Sequence, residues 1–140
     1  MPCALKISEA SSLAMHALGY LANDEDGPIT SREIARRFEI SEAHLAKVLQ
    51  RMVKVGLLRS LRGPHGGFIL TRPPESVTLL EIFEAIEGPF EPNQCLLSSA
   101  ICDGDNCILG RIVLEANTML RARLEETTLV EVEAVINSSR

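Results

Sequence analysis

The chain has no apolar run of the roughly eighteen residues that a membrane helix needs, and its start lacks the charged-then-apolar pattern of a secretory signal. These absences predict a soluble, cytoplasmic protein with no membrane partner. No nucleophile paired with a base, no phosphate-binding glycine loop and no pair of carboxylates on a pocket can be named, so no enzyme is expected. A basic excess is missing too. The 140 residues carry 14 Lys+Arg against 19 Asp+Glu, which by itself argues against a nucleic-acid partner. Four cysteines are present; without a secretory signal they point to reduced thiols, metal or redox chemistry rather than to disulfides. With 46% apolar residues the chain can bury a core, and its length suits one domain, or a small domain with a long appendage.

The most structured stretch runs from Thr30 to Thr71. Thr30-x-x-Glu33 is a capping box, in which the hydroxyl accepts a backbone N–H and the carboxylate reaches back. Ile34, Ala35 and Phe38 share one face of the helix that follows, and Ile40 plugs a tight turn. Ser41 is placed to cap a second helix, where Leu45, Val48, Leu49 and Met52 form a buried stripe. Glu42, Ala43, His44, Lys47, Arg51 and Lys54 occupy the opposite face, and Gly56 ends the helix. Two helices joined this tightly read as a helix-turn-helix. Leu57, Leu58 and Leu61 then lead into Arg62-Gly63-Pro64-His65-Gly66-Gly67, and Phe68-Ile69-Leu70 is apolar again. Extended runs around a Gly/Pro turn predict a hairpin. A hairpin directly after a recognition helix is the wing of a winged helix, with Arg59, Arg62 and His65 reaching toward a phosphate or a minor groove.

Charge sharpens this reading. Ser31 to Arg72 holds nine Arg and Lys against Glu33, Glu39 and Glu42, a local charge of +6, while the rest of the chain, with five basic and sixteen acidic residues, carries −11. Counterion release depends on local charge, so an acidic chain with one basic module still presents a phosphate-facing surface. The contacts expected are Ser41 on phosphate, Glu42, His44 and Lys47 on base edges or nearby phosphates, and Arg51 and Arg59 on backbone. Arg62 and His65 would sit in or beside the minor groove.

Around this unit, Ile7–Ala22 reads as a first helix with Ala10, Leu13, Ala14, Ala17, Leu18 and Leu21 on its apolar stripe, ended by the exposed loop at 23–28. His16 falls in that helix, where a lone histidine usually packs or faces solvent. After the wing, Pro73-Pro74 is a stiff connector. Thr78–Glu87 is a short amphipathic helix expected to pack under the DNA-binding unit, and residues 90–94 are a linker.

Cys95, Cys102 and Cys107 fall within thirteen residues, spaced C-x6-C-x4-C. Clustered thiolates suit zinc, copper(I) or iron–sulfur, although zinc usually wants closer pairs. A thiol switch also fits, and cysteines acting as small apolar residues fit a polar loop poorly. The turn Asp103-Gly104-Asp105-Asn106 lacks the ligand order and closing Glu of a calcium loop. A long helix follows from Ile108 to about Thr127, with Ile108, Leu109, Ile112, Val113, Ala116, Met119, Leu120 and Leu124 on one broad face. So small a domain offers that face little to pack on, which predicts a two-fold homodimer and a pseudo-palindromic double-stranded DNA operator. Leu129–Ile136 adds a last short helix. The fold class is therefore mainly α with a small β-hairpin wing. A winged helix-turn-helix domain spans 1–90 (helix-turn-helix 30–56, wing 57–71), a cysteine-bearing loop 91–107, and a dimerisation helix with a C-terminal tail 108–140.

These elements together resemble the family of bacterial winged-helix regulators that includes the iron–sulfur assembly regulator IscR and the nitric-oxide sensor NsrR. The likeness is carried by Met15-His16-Ala17-Leu18-x-Tyr20-Leu21-Ala22, by Ile34-Ala35 with Ile40-Ser41, and by Gly56-Leu57-Leu58-x-Ser60. It continues through Arg62-Gly63-x-x-Gly66-Gly67-Phe68-x-Leu70, the three-cysteine loop and Thr127-Thr128-Leu129, almost the whole chain. The resemblance implies a homodimeric regulator, a repressor, whose operator affinity depends on a 2Fe–2S or 4Fe–4S cluster held by Cys95, Cys102 and Cys107. Air can strip such a cluster during preparation. The signals it implies are redox state, nitric oxide or iron–sulfur status. A cluster-free or zinc-bound regulator sensing a small molecule, a protein partner or thiol oxidation is the alternative. Three departures from the family bear on the cluster. The middle cysteine is shifted by one, Gly110 stands where IscR-like members place a histidine ligand, and Ser12 stands where NsrR-like members place an aspartate from the partner's first helix. The fourth ligand is thus open, and the resemblance makes His16 a candidate.

Overall fold

The computed structural model of the chain describes residues 7–23, 27–91, 95–103 and 106–138. Cys3, the loop residues 24–26, the linker residues 92–94, Gly104 and Asp105 of the cysteine loop, and the last two residues lie outside the described residues. The elements are α1 (Glu9–Leu21), α2 (Ser31–Phe38), α3 (Glu42–Lys54), β1 (Leu58–Leu61), β2 (Gly67–Leu70), a 3-10 turn (Pro74–Ser76), α4 (Leu79–Glu87), α5 (Ile108–Glu126) and α6 (Leu129–Asn137). The predicted winged helix is present, with boundaries within two residues of expectation. Among the described residues no helix is long and apolar enough to cross a membrane.

Local chemistry sets each start and stop. Thr30 and Glu33 form the capping box, with Glu33 N–H donating to Thr30 Oγ1 at 3.2 Å and Thr30 N–H to the carboxylate at 2.8 Å. Glu39 closes α2 in the left-handed region (φ 56°), turning the chain so that Ile40 packs on the core and Ser41 caps α3. Gly56 (φ 84°) ends that helix as expected. Thr78 and Glu81 form a second capping box, at the start of α4.

Leu45, Val48, Leu49 and Met52 of α3 are buried against Ile34 and Ala35 of α2 and against α1. The wing is antiparallel, pairing Leu58 with Leu70 and Leu61 with Gly67. It is fastened to the core by an isolated bridge between Ile29 and Phe68, whose amides bond reciprocally at 3.2 and 2.8 Å. Gly67 permits that approach, because a Cβ there would lie 2.6–2.9 Å from the Ile29 backbone.

Two features of the C-terminal third go beyond the apolar pattern. The chain at Val77–Leu79 pairs with Thr127–Leu129, through Leu79 N–H on the Thr127 carbonyl (2.9 Å) and Leu129 N–H on the Val77 carbonyl (3.0 Å). This pins the α5–α6 corner to the start of α4. From there α6 folds back onto α1, with Val132 against Gly19. Gly19 is buried by this contact, and Ser11, whose hydroxyl donates to Glu87 Oε1 of α4 at 2.6 Å, is buried as well; both lie off the expected α1 stripe, as does the buried Met15. The broad apolar face of α5 also divides. Val113 and Leu124 are buried, and Leu120 packs on the core, whereas Ile108 (76%), Ile112 (58%) and Met119 (64%) are exposed.

Candidate nucleic-acid interface and cysteine loop

Burying Leu45, Val48, Leu49 and Met52 forces the remaining side chains of α3 outward. His44, Lys47, Arg51 and Lys54 recur every three or four residues on that side and are all exposed, so they form one continuous polar ridge whose Lys and Arg side chains are cationic. Lys47, Gln50, Arg51, Val53 and Lys54 line an open concavity of about 540 Å³, with no carboxylate among them. Ser41 is exposed at the head of the helix, its oxygen accepting His44 N–H at 3.4 Å while its hydroxyl hydrogen stays available. Glu42 beside it is exposed and faces α2.

Arg59 lies on β1, and Arg62 and His65 lie in the wing turn; all three are exposed. The eight residues expected to meet DNA thus fall at the head of α3, along its outer face and on the wing. Arg32, Arg36 and Arg37 of α2 are exposed too and add to the positive charge of the helix-turn-helix. Their charge is legible in the sequence, and the burial of Ile34 and Ala35 turns them outward.

The cysteine stretch is open. Cys102 is exposed, and Cys95 and Cys107 are half-buried. Cys107 is the N-cap of α5, accepting Gly110 N–H on its sulfur at 3.2 Å. Exposed Leu97 and Ile101 leave the stretch with unusually bare apolar side chains. His16 stands elsewhere. Its Nδ1 lies 2.7 Å from the Ser12 carbonyl and its ring meets Phe38 edge-on. It borders a groove of about 350 Å³ shared with Thr127, Glu131, Val132, Val135 and Ile136. Among the described residues, no group of three or more His, Cys, Asp or Glu side chains is gathered to hold a metal. In chemical kind the three sulfur donors do suit iron–sulfur ligation.

Residues 7–134 match the model of the Rrf2 family, described as an iron-dependent transcriptional regulator. A protein of Aquifex aeolicus (strain VF5), named as an HTH-type transcriptional regulator, is 32% identical over 125 residues, 87% of each chain. CymR (YrzC), the global cysteine regulator of B. subtilis, superposes with a TM-score of 0.79 at 25% identity, over 94% of this chain and 98% of that one. IscR of T. potens superposes with a TM-score of 0.74 at 25% identity, over 96% and 88%. The family match extends from α1 into α6, so it takes in α3, the wing and the cysteine stretch together.

Proposed function

This chain belongs to the Rrf2 family of transcriptional regulators, and from that premise we propose that it represses transcription as a homodimer on a pseudo-palindromic operator, under the control of an iron–sulfur cluster. One observation links the two halves of this reading. Cys107 caps α5, so the last sulfur of the loop is part of the helix whose exposed stripe, Ile108, Ile112 and Met119, suits a second copy of itself. Two copies joined along α5 would present two α3 ridges to successive major grooves, with the wings beside them.

Cys95, Cys102 and Cys107 would hold the cluster. His16 of the partner subunit is the candidate fourth donor. A carbonyl only accepts, so Nδ1–H donates to Ser12, which in the neutral imidazole places the lone pair on Nε2. Metal-ligating histidines are commonly oriented in this way. When bound, the cluster supplies a centre that reacts with oxidants and nitric oxide. The chain's own part is mechanical: a change at the Cys107 sulfur alters the acceptor for Gly110 N–H and hence the first turn of α5. That turn carries Ile108 and Leu109 of the exposed stripe, so the spacing of the two α3 helices shifts between DNA-competent and incompetent populations.

The test is a visible spectrum of anaerobically purified protein with iron, sulfide and zinc analysis. A brown sample with iron and sulfide, lost in Cys102→Ala, is expected. A colourless sample holding zinc would make the loop structural.

A second reading, control by thiol oxidation or a small molecule without a cluster, is favoured by the absence of a gathered metal group among the described residues. The likeness to CymR, named a cysteine regulator, supports it as well. Absence of any metal after reconstitution, with operator affinity that responds to peroxide, would select it.

A further inference from the structure

At the outer corner of the helix-turn-helix lies an ion pair that neither the caps nor the core require. Glu42 is the first residue of α3, and its carboxylate faces α2. There Ser31 Oγ donates to Oε1 at 3.3 Å, and Arg32 Nε lies 3.6 Å from Oε2. The Arg32 and Glu42 side chains are 74% and 46% exposed, so water screens the pair and leaves it little part in stability. Attraction to the helix dipole is an incomplete reason for an acid at this place. Both oxygens are engaged by α2 side chains, while Ser41 makes the cap. The result is a single carboxylate, met from α2 at both oxygens, at the head of the ridge that carries His44 and the cationic Lys47, Arg51 and Lys54.

The N-terminal residues of a recognition helix are those that meet base edges. A carboxylate there is repelled by phosphates and can only accept hydrogen bonds, so an exocyclic amino group is what it can read in a major groove. Cytosine N4 offers that donor without an acceptor beside it on the same base edge. Adenine N6 adjoins N7, which faces a carboxylate with like polarity. We propose that Glu42, clamped by Ser31 and Arg32 across the turn, selects cytosine at one position of each operator half-site. Arg32 is its positioning residue, which removes the freedom of the carboxylate and offsets its charge near phosphates. This rests on the operator-binding reading above, and it adds the base that is read and the residue that aims the reader.

The experiment uses the full chain, one sample purified anaerobically and one exposed to air, to enrich randomised duplexes about three helical turns long, room for two half-sites. Wild type is expected to enrich a two-fold-symmetric sequence with cytosine fixed at one position per half-site. Changing that C·G pair to T·A should weaken wild type roughly tenfold and leave Glu42→Ala nearly indifferent. Glu42→Gln should move the preference to adenine, whose N6 and N7 a carboxamide matches. Arg32→Ala should lose discrimination at that same position, and Arg32→Lys should recover part of it. An Arg32 that serves only the fold would lower the melting temperature of Arg32→Ala and leave its base preference intact, which overturns the positioning role. If wild type selects an operator and Glu42→Ala selects the same sequence with equal discrimination, the assignment of Glu42 is overturned while operator binding stands. If neither sample enriches any duplex, both fall.

Discussion

Thr30 and Glu33 decide where α2 begins. Thr30 gives its hydroxyl and its backbone N–H to the Glu33 carboxylate, and these bonds, with the Arg36 charge one turn on, hold that carboxyl below its ordinary value of 4.5. The folded state therefore favours the ionised form. Its contribution is complete above the unfolded value and is lost as the pH falls through the lowered folded one. In urea denaturation Glu33→Ala is expected to be less stable than wild type at neutral pH, with the gap closing in acid; a gap that persists in acid would contradict the cap. Thr30→Ala should cost about 1 kcal/mol. In the wing, Arg62→Ala should weaken binding to specific and nonspecific duplexes alike and reduce the slope of log affinity against log salt by about one. An unchanged slope would remove Arg62 from the phosphate contacts. Such caps and charges are legible in a sequence because they are local. Thr78-x-x-Glu81 carries the same spacing as Thr30-x-x-Glu33, and the structure shows it working as the same box.

Elements show where local pattern stops. The nineteen residues of α5, about 28 Å of helix, are periodic enough to be foreseen from Ile108 onward. Periodicity says nothing about which apolar residues serve their own chain. Val113 and Leu124 do, while Ile108, Leu109, Ile112 and Met119 do not. Replacing Leu109 and Ile112 together by Glu is expected to give monomers by light scattering with helix content retained; a dimer of unchanged mass would refute α5 as the joint. The α1–α6 contact is equally silent in the sequence. Gly19 reads as an ordinary helical glycine until α6 returns and brings Val132 onto it. Gly19→Val should overpack that contact and destabilise by about 1–3 kcal/mol, read as a lowered midpoint in thermal melting. An unchanged midpoint would mean that α6 yields freely.

At the scale of the whole molecule, charge and sulfur are segregated. The cationic module from Ser31 to Arg72 sits in a chain whose remainder is strongly acidic, so that module is the part suited to a phosphate backbone. The cysteines lie beyond it, at the head of α5. Their spacing reveals three thiols of one kind, and His16, the proposed fourth donor, stands with α6 and not with Cys95, Cys102 and Cys107 in a single chain. A site completed between subunits has no signature in the spacing of one sequence. Communication from sulfur to DNA would run through the Cys107 cap, the exposed face of α5, and the pairing of Val77–Leu79 with Thr127–Leu129 that ties the far end of α5 to α4. The most direct measurement is operator affinity of one anaerobic preparation, titrated against the selected duplex before and after its metal is removed. A change of tenfold or more, roughly 1.4 kcal/mol, abolished in Cys107→Ala, is the outcome predicted here. Equal affinity in the two states would contradict control through the cysteine loop.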